Sequence, residues 1–181
     1  WIGLAGLVVG WAYSAPPLKL QSRGLGEFAI TAGWLLIVVG SDFVQRRGFS
    51  FVPIAAGLGF ALLVANVLYI NQFPDVKADA AAGKRTVVVR LGAARARWGY
   101  VLIAALAYAW LPAMVALGRL PTAALVALLP ALASVAAVRS LWANAGRPAF
   151  LAPALKLTIA SASLHGLLLA IVLVAPWSRF A

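Results

Sequence analysis

Long apolar runs separated by short basic connections constrain this chain more than any other feature. Residues 27–44, 51–70, 98–117, 121–141 and 154–176 are each long enough to cross a bilayer core of roughly 30 Å, which needs about 20 mostly apolar residues in helix. The runs are continuous and rich in Ala and Leu, without period-2 alternation, so they predict helices and not barrel strands. A sixth run, 1–13, is too short for a full span and reads as the end of one. Hydrophobic residues make up 64% of the chain and charged residues 10%. A soluble domain of this size keeps much of its surface wet and could not hide that excess. The expected fold class is an all-α polytopic transmembrane helix bundle, a single domain over residues 1–181 with about five full spans and one partial. The chain begins at Trp1 inside an apolar run, with no basic n-region and no small-residue cleavage site. It reads as a chain that lacks its natural N-terminal portion.

The formal net charge is +11, which raises nucleic acid as a partner. The cations instead sit in loops between spans, without the interleaved aromatics of a base-stacking platform, so the expectation is a lipid bilayer and no nucleic acid. If the spans alternate, loops 14–26, 71–97 and 139–156 share one side. That side carries Lys19, Arg23, Lys77, Lys84, Arg85, Arg90, Arg95, Arg97, Arg139, Arg147 and Lys156, against Arg46, Arg47, Arg119 and Arg179 on the other. The excess predicts that the first side is cytoplasmic in an integral membrane protein of a bacterial inner membrane. Trp11, Tyr13, Trp98 and Trp177 fall near span ends, as interface anchors do. The absence of Cys excludes disulfides and thiolate metal sites.

Asp75 and Asp79 are half of a set of only 4 acidic residues. Pro74 suits the first turn of a helix, which would start there and place Asp75 and Asp79 at i and i+4 on one face, with Asn71 one step of four earlier. Two carboxylates so spaced can hold Mg²⁺, which completes its shell with water and phosphate oxygens. Lys84 and Arg85, after Gly83, could neutralise the same anion, Arg as a fork and Lys as a point charge. The alternative is that the acids favour a helix N-terminus through its dipole and that the cations only set topology. Spacing alone leaves both readings open.

The wider string NQFPDVKADAAAGKRTVVVRLG, residues 71–92, resembles the second aspartate-rich motif of the UbiA-type intramembrane prenyltransferases. The match includes Asn71, Asp75, Asp79, Gly83, Lys84, Arg85, Thr86, Val89, Arg90, Leu91 and Gly92. A second block, YSAPPLKLQSRGLGE, is similar to the family's YSxPPLxLKxRGxGE segment at Tyr13, Ser14, Pro16, Pro17, Leu18, Leu20, Arg23, Gly24, Gly26 and Glu27. Gln21 departs from it where relatives often carry Lys, and Lys19 could supply that charge. The GKRTxxVRLG ending looks most like the branch that prenylates 1,4-dihydroxy-2-naphthoate in menaquinone synthesis.

The resemblance implies a bundle of about nine helices in which two aspartate-rich motifs each hold Mg²⁺ and together clamp a prenyl diphosphate, and an electron-rich aromatic acceptor then takes the prenyl group. It carries Asp75 and Asp79 over as catalytic metal ligands with Asn71 as a helper, Lys84 and Arg85 at the diphosphate, and Tyr13 and Lys19 near it. It also marks a departure, because the first motif, NDxxDxxxD, is absent from these residues. The 181 residues alone are therefore expected not to turn over. Two readings compete with the enzyme. One is a truncated or repurposed homologue serving as a structural subunit among other membrane subunits. The other is a transporter, disfavoured because the polar motif lies at the membrane surface.

The remaining polar and aromatic residues have plainer expectations. His165 and Asn66, inside spans, are expected to bond across helices. Asp42 and Arg46 form an i,i+4 pair, and Glu27 favours the start of its helix. Gly24, Gly26 and Gly33 would permit close backbone approach. Phe28, Trp34, Phe60 and Tyr69 could line a prenyl tunnel.

Overall fold

The structure, a computed structural model, describes residues 1–174. Its helices are α1 (Ile2–Ser14), α2 (Gly26–Arg46), α3 (Val52–Ala81), α4 (Val87–Leu91), α5 (Ala93–Ala116), α6 (Ala131–Asn144) and α7 (Ala152–Val174), with 3₁₀ turns at Leu20–Arg23, Thr122–Leu128 and Pro148–Phe150. Among the described residues there is no strand. Five helical stretches, Gly26–Arg46, Val52–Ala81, Ala93–Ala116, Thr122–Asn144 and Ala152–Val174, are long and apolar enough to cross a membrane. They coincide with the five expected spans. The last two residues of 154–176, and the anchor Trp177, lie outside the described residues.

Three expected boundaries need correction. Pro74 does not open a helix; it lies inside α3, which runs on to Ala81. A proline within a helix forgoes one backbone hydrogen bond and crowds the preceding turn. Tertiary packing overrides that cost here, because Tyr69, Ile70, Gln72 and Phe73 just before it and Asp79 just after it are all buried. Loop 71–97 thus shrinks to residues 82–92 around the single turn of α4, and α5 begins at Ala93. Loop 139–156 shrinks likewise, since α6 continues to Asn144 and α7 starts at Ala152.

α3 is the central helix, packed against α2, α5 and α7. Small residues allow this, as a Cβ at Gly59 would meet the Ala107 carbonyl at 3.0 Å and one at Gly57 would meet Val38 at 3.0 Å. Buried polar groups pair across helices. Tyr100 Oη and Thr158 Oγ1 lie 2.7 Å apart, Ser161 Oγ is 2.6 Å from both Tyr108 Oη and Ser134 Oγ, and His165 Nδ1 donates to the Ala127 carbonyl at 2.7 Å. Asn66 Nδ2 donates to the Tyr100 carbonyl at 3.2 Å. His165 and Asn66 are therefore interhelical bonders, as expected. Arg46 pairs with Asp42 at 2.8 Å at the far end of α2. Trp11 and Trp98 are exposed, and Trp98 meets the Trp142 ring edge-on at 5.0 Å.

Candidate functional site

The end of α3 that carries Ala81 gathers the polar groups. Helix periodicity puts Asp75 and Asp79 on one face, about 6 Å apart along the axis, with Asn71 a similar distance beyond Asp75. Asp75 is exposed, whereas Asp79 is buried at 9% exposure. Both lie in the last turns of a 30-residue helix. A carboxylate there faces the negative end of the helix dipole. The alternative that these acids favour a helix N-terminus is therefore overturned. They sit where the local field opposes them.

α3 ends in a Schellman turn. Gly83 N donates to the Ala80 carbonyl at 3.1 Å and Lys84 N to the Asp79 carbonyl at 2.9 Å. Gly83 adopts φ +72° and a Cβ there would touch nothing, so conformation and not space demands glycine. The turn swings Lys84 back over the helix, and its Nζ donates to Asp79 Oδ1 at 3.0 Å. The hydrogen bond and the charge of Asp79 raise the Lys84 ammonium above the usual lysine value of 10.5. Tyr13, at the end of α1, is within electrostatic reach of Glu27, Lys84 and Asp79. Asn71 Nδ2 donates to the Val67 carbonyl at 2.6 Å, which leaves its Oδ1 as an acceptor.

Two carried-over residues are placed differently. Among the described residues, no hydrogen bond or ion pair joins the side chain of Lys19 or of Arg85 to the acids. Lys19 adopts φ +44° at the head of the 3₁₀ turn. Arg85 contributes its backbone, donating N–H to the Ser22 carbonyl at 2.8 Å. Three other residues have larger roles than the sequence suggested. Gln72 donates to the Glu27 carboxylate and accepts from Val88 N at 3.4 Å, so Glu27 does more than open α2. Arg90 spans the two motif blocks, donating from Nε to the Arg85 carbonyl at 2.7 Å and from Nη2 to the Arg23 carbonyl at 2.9 Å. Glu27 is one of the chain's few acids, and Arg90 stands in the matched string, so each could have been singled out.

Two apolar spaces open nearby. One, of about 980 Å³, runs between α1 and α2 from Tyr13 past Trp34 to Phe49. The other, of about 510 Å³, lies among α2, α3 and α7 and includes Trp34 and Phe60, whose rings meet edge-on at 5.7 Å. Tyr69 lines neither; it is buried with its hydroxyl donating to the Ala96 carbonyl at 2.7 Å. Phe28 is exposed at 74% and lines neither. A Cβ at Gly33 would reach Val9 only at 3.9 Å, so close approach is a property of Gly24 and Gly26 alone among the three.

Residues 1–159 match the UbiA prenyltransferase family. The chain belongs to that family. Its curated relatives include the 2-carboxy-1,4-naphthoquinone phytyltransferase of Synechocystis, 36% identical over 93 residues, which cover 50% of this chain and 30% of the relative. The 1,4-dihydroxy-2-naphthoate octaprenyltransferase of Haemophilus influenzae is 32% identical over 111 residues, 59% of this chain and 36% of the relative. The chloroplastic chlorophyll synthase of Arabidopsis thaliana is 30% identical over 106 residues, 54% of this chain and 26% of the relative. The match thus spans about a third of each relative's length. No solved structure matches the chain. Family membership and the apolar helices together make it an integral membrane protein.

The residues at the end of α3 suit the Mg²⁺ that the resemblance implies. Among the described residues no group of three or more His, Cys, Asp or Glu could hold a metal. Mg²⁺ does not need one, since it is held by one or two carboxylates and takes its other oxygens from water and substrate phosphates. Asp75 is open and one Asp79 oxygen is free of Lys84, so the donor set fits that mode.

Proposed function

We propose that this chain supplies the second aspartate-rich motif of an enzyme that transfers a polyprenyl group from a prenyl diphosphate to an aromatic acceptor in quinone biosynthesis. The observation that carries this reading is the Lys84 ammonium held at 3.0 Å from Asp79 beside the open Asp75. Carboxylates and cation together match an anion delivered with its own divalent metal. The 1,4-dihydroxy-2-naphthoate in the name of the Haemophilus influenzae relative, and the related carboxy-naphthoquinone in that of the Synechocystis relative, favour 1,4-dihydroxy-2-naphthoate as the acceptor class. The excess of cations at this end of the bundle favours a cytoplasmic orientation for the site.

Prenyl transfer breaks the bond between an allylic carbon and the diphosphate oxygen, forms a bond from that carbon to the ring, and releases a ring proton. Mg²⁺ would act as a Lewis acid that lowers the cost of charge growing on the leaving diphosphate. Asp75 and Asp79 would hold it, with Asn71 Oδ1 as a further oxygen. Lys84 adds a positive charge at the same place, and the exposed Arg85 could close its guanidinium on the phosphates. Tyr13 can orient the departing group by its hydroxyl. The apolar groove beginning at Tyr13 can take a prenyl chain and keep water from the electron-poor carbon.

In the full-length protein, reconstituted in lipid, a labelled prenyl diphosphate should transfer to 1,4-dihydroxy-2-naphthoate with Mg²⁺ and should stop transferring when EDTA removes it. Prenylation of 4-hydroxybenzoate instead would overturn the acceptor assignment. Transfer that survives chelation would overturn the metal.

A further inference from the structure

Two segments far apart in sequence meet near the end of α3, and a side chain of one bonds directly to the other. Segment 13–27 brings Tyr13 and Glu27; segment 83–92 brings Lys84. Neither contains a long helix that would fix its partner by packing, since the 3₁₀ turn has 4 residues and α4 has 5. Arg90 on α4 donates Nε to the Arg85 carbonyl at 2.7 Å and Nη2 to the Arg23 carbonyl at 2.9 Å. Arg85 N–H in turn donates to the Ser22 carbonyl at 2.8 Å. Arg23 passes the link on, with Nη2 donating to the Pro17 carbonyl at 2.7 Å. The contact has no room to spare. Gly24 sits over it at φ +72°, and a Cβ there would lie 3.3 Å from the Arg85 carbonyl oxygen and 3.4 Å from Arg90 Nε.

We propose that Arg90 is a positioning residue, whose planar fork clasps segment 13–27 to segment 83–92 and thereby steadies the loop that carries Lys84 to Asp79. A topology signal would need only a positive charge. This guanidinium instead uses two separate N–H donors on carbonyls of two loops, one of them 67 residues away in sequence. Lysine could not reproduce that, because its single ammonium is a point charge on a flexible stem. Gln72 supports the same junction from inside, bridging Glu27 and Val88 N. The clasp stands on geometry alone; its effect on catalysis rests on the prenyl-transfer reading above.

The test separates the two. The chain has no Cys, so spin labels at Leu18→Cys and Ala82→Cys add no competing sites within it. In the full-length protein the distance distribution between these labels should be narrow, and should broaden with Arg90→Ala and with Gly24→Ala. An unchanged distribution in both variants overturns the clasp, whatever the enzyme does. In the transfer assay Arg90→Ala should lower kcat/KM for the prenyl diphosphate about 10-fold, with Arg90→Lys recovering little. In a Lys84→Ala background the same change should cost less than about 2-fold, since residues acting as a unit are not additive. Full additivity, or broadened distances with undiminished transfer, would overturn the positioning role.

Discussion

Replacing Asp75 and Asp79 together by alanine in the full-length protein should reduce Mg²⁺-dependent prenyl transfer by at least about a thousand-fold. Removing even one group that stabilises developing charge costs about 10²–10³ in kcat, and here both carboxylate anchors of an ion would go. Asp79→Ala would also release the Lys84 ammonium from its 3.0 Å partner. The fold should not suffer. Asp75 is exposed and stands before the last turn of α3, while Asp79 in that last turn opposes the dipole but gains the Lys84 pair, two effects of about 0.2–1 kcal/mol each and of opposite sign. The double variant should therefore keep its helical circular dichroism and melt close to the parent. Retention of more than a few per cent of activity would refute the site. Loss of helical signal along with activity would show instead that the acids serve the fold.

The largest effect on stability is expected at Gly99. A methyl group there would fall on the Tyr69 hydroxyl and ring, both within the fully buried cluster of Ile70, Phe73, Ala96 and Tyr100. Tyr69 cannot yield without giving up its 2.7 Å hydrogen bond to the Ala96 carbonyl. Overpacking a close-packed site costs about 1–3 kcal/mol and an orphaned buried hydroxyl a further 1–3 kcal/mol. Gly99→Ala should lower unfolding stability in mixed micelles by about 2–4 kcal/mol. Tyr69→Phe removes the colliding oxygen, so the double variant should be more stable than Gly99→Ala alone. Equal stability of Gly99→Ala and the parent would mean that α3 and α5 are not packed as described. The consequence reaches function, because Tyr69 lies on the helix that presents Asp75 and Asp79.

Some of this was legible in the residues themselves. Apolar runs of span length define five membrane helices, because a bilayer admits few other structures for such segments. The DxxxD spacing puts Asp75 and Asp79 on one face as long as the segment is helical. The two motif blocks carry family membership, since they are local strings. What proved misleading was also local. Pro74 reads as a helix start by its own chemistry, yet α3 passes through it because buried neighbours on both sides hold the helix. That single difference moves the acids from a helix beginning to a helix end and reverses the sign of the dipole acting on them.

Only the tertiary structure decided how the site is assembled. The Schellman turn at Gly83 returns Lys84 to Asp79 across 5 residues, a local event whose outcome depends on where α3 stops. The Gln72–Glu27 bond joins residues 45 apart and the Arg90–Arg23 bond joins residues 67 apart. No periodicity encodes such pairings, because they depend on how α2, with the 3₁₀ turn before it, and α4 both pack on α3. By itself the sequence determined solvent, helices and family, which follow from hydrophobicity, spacing and local motif. What clamps the two loops together follows from helix packing that no single segment specifies.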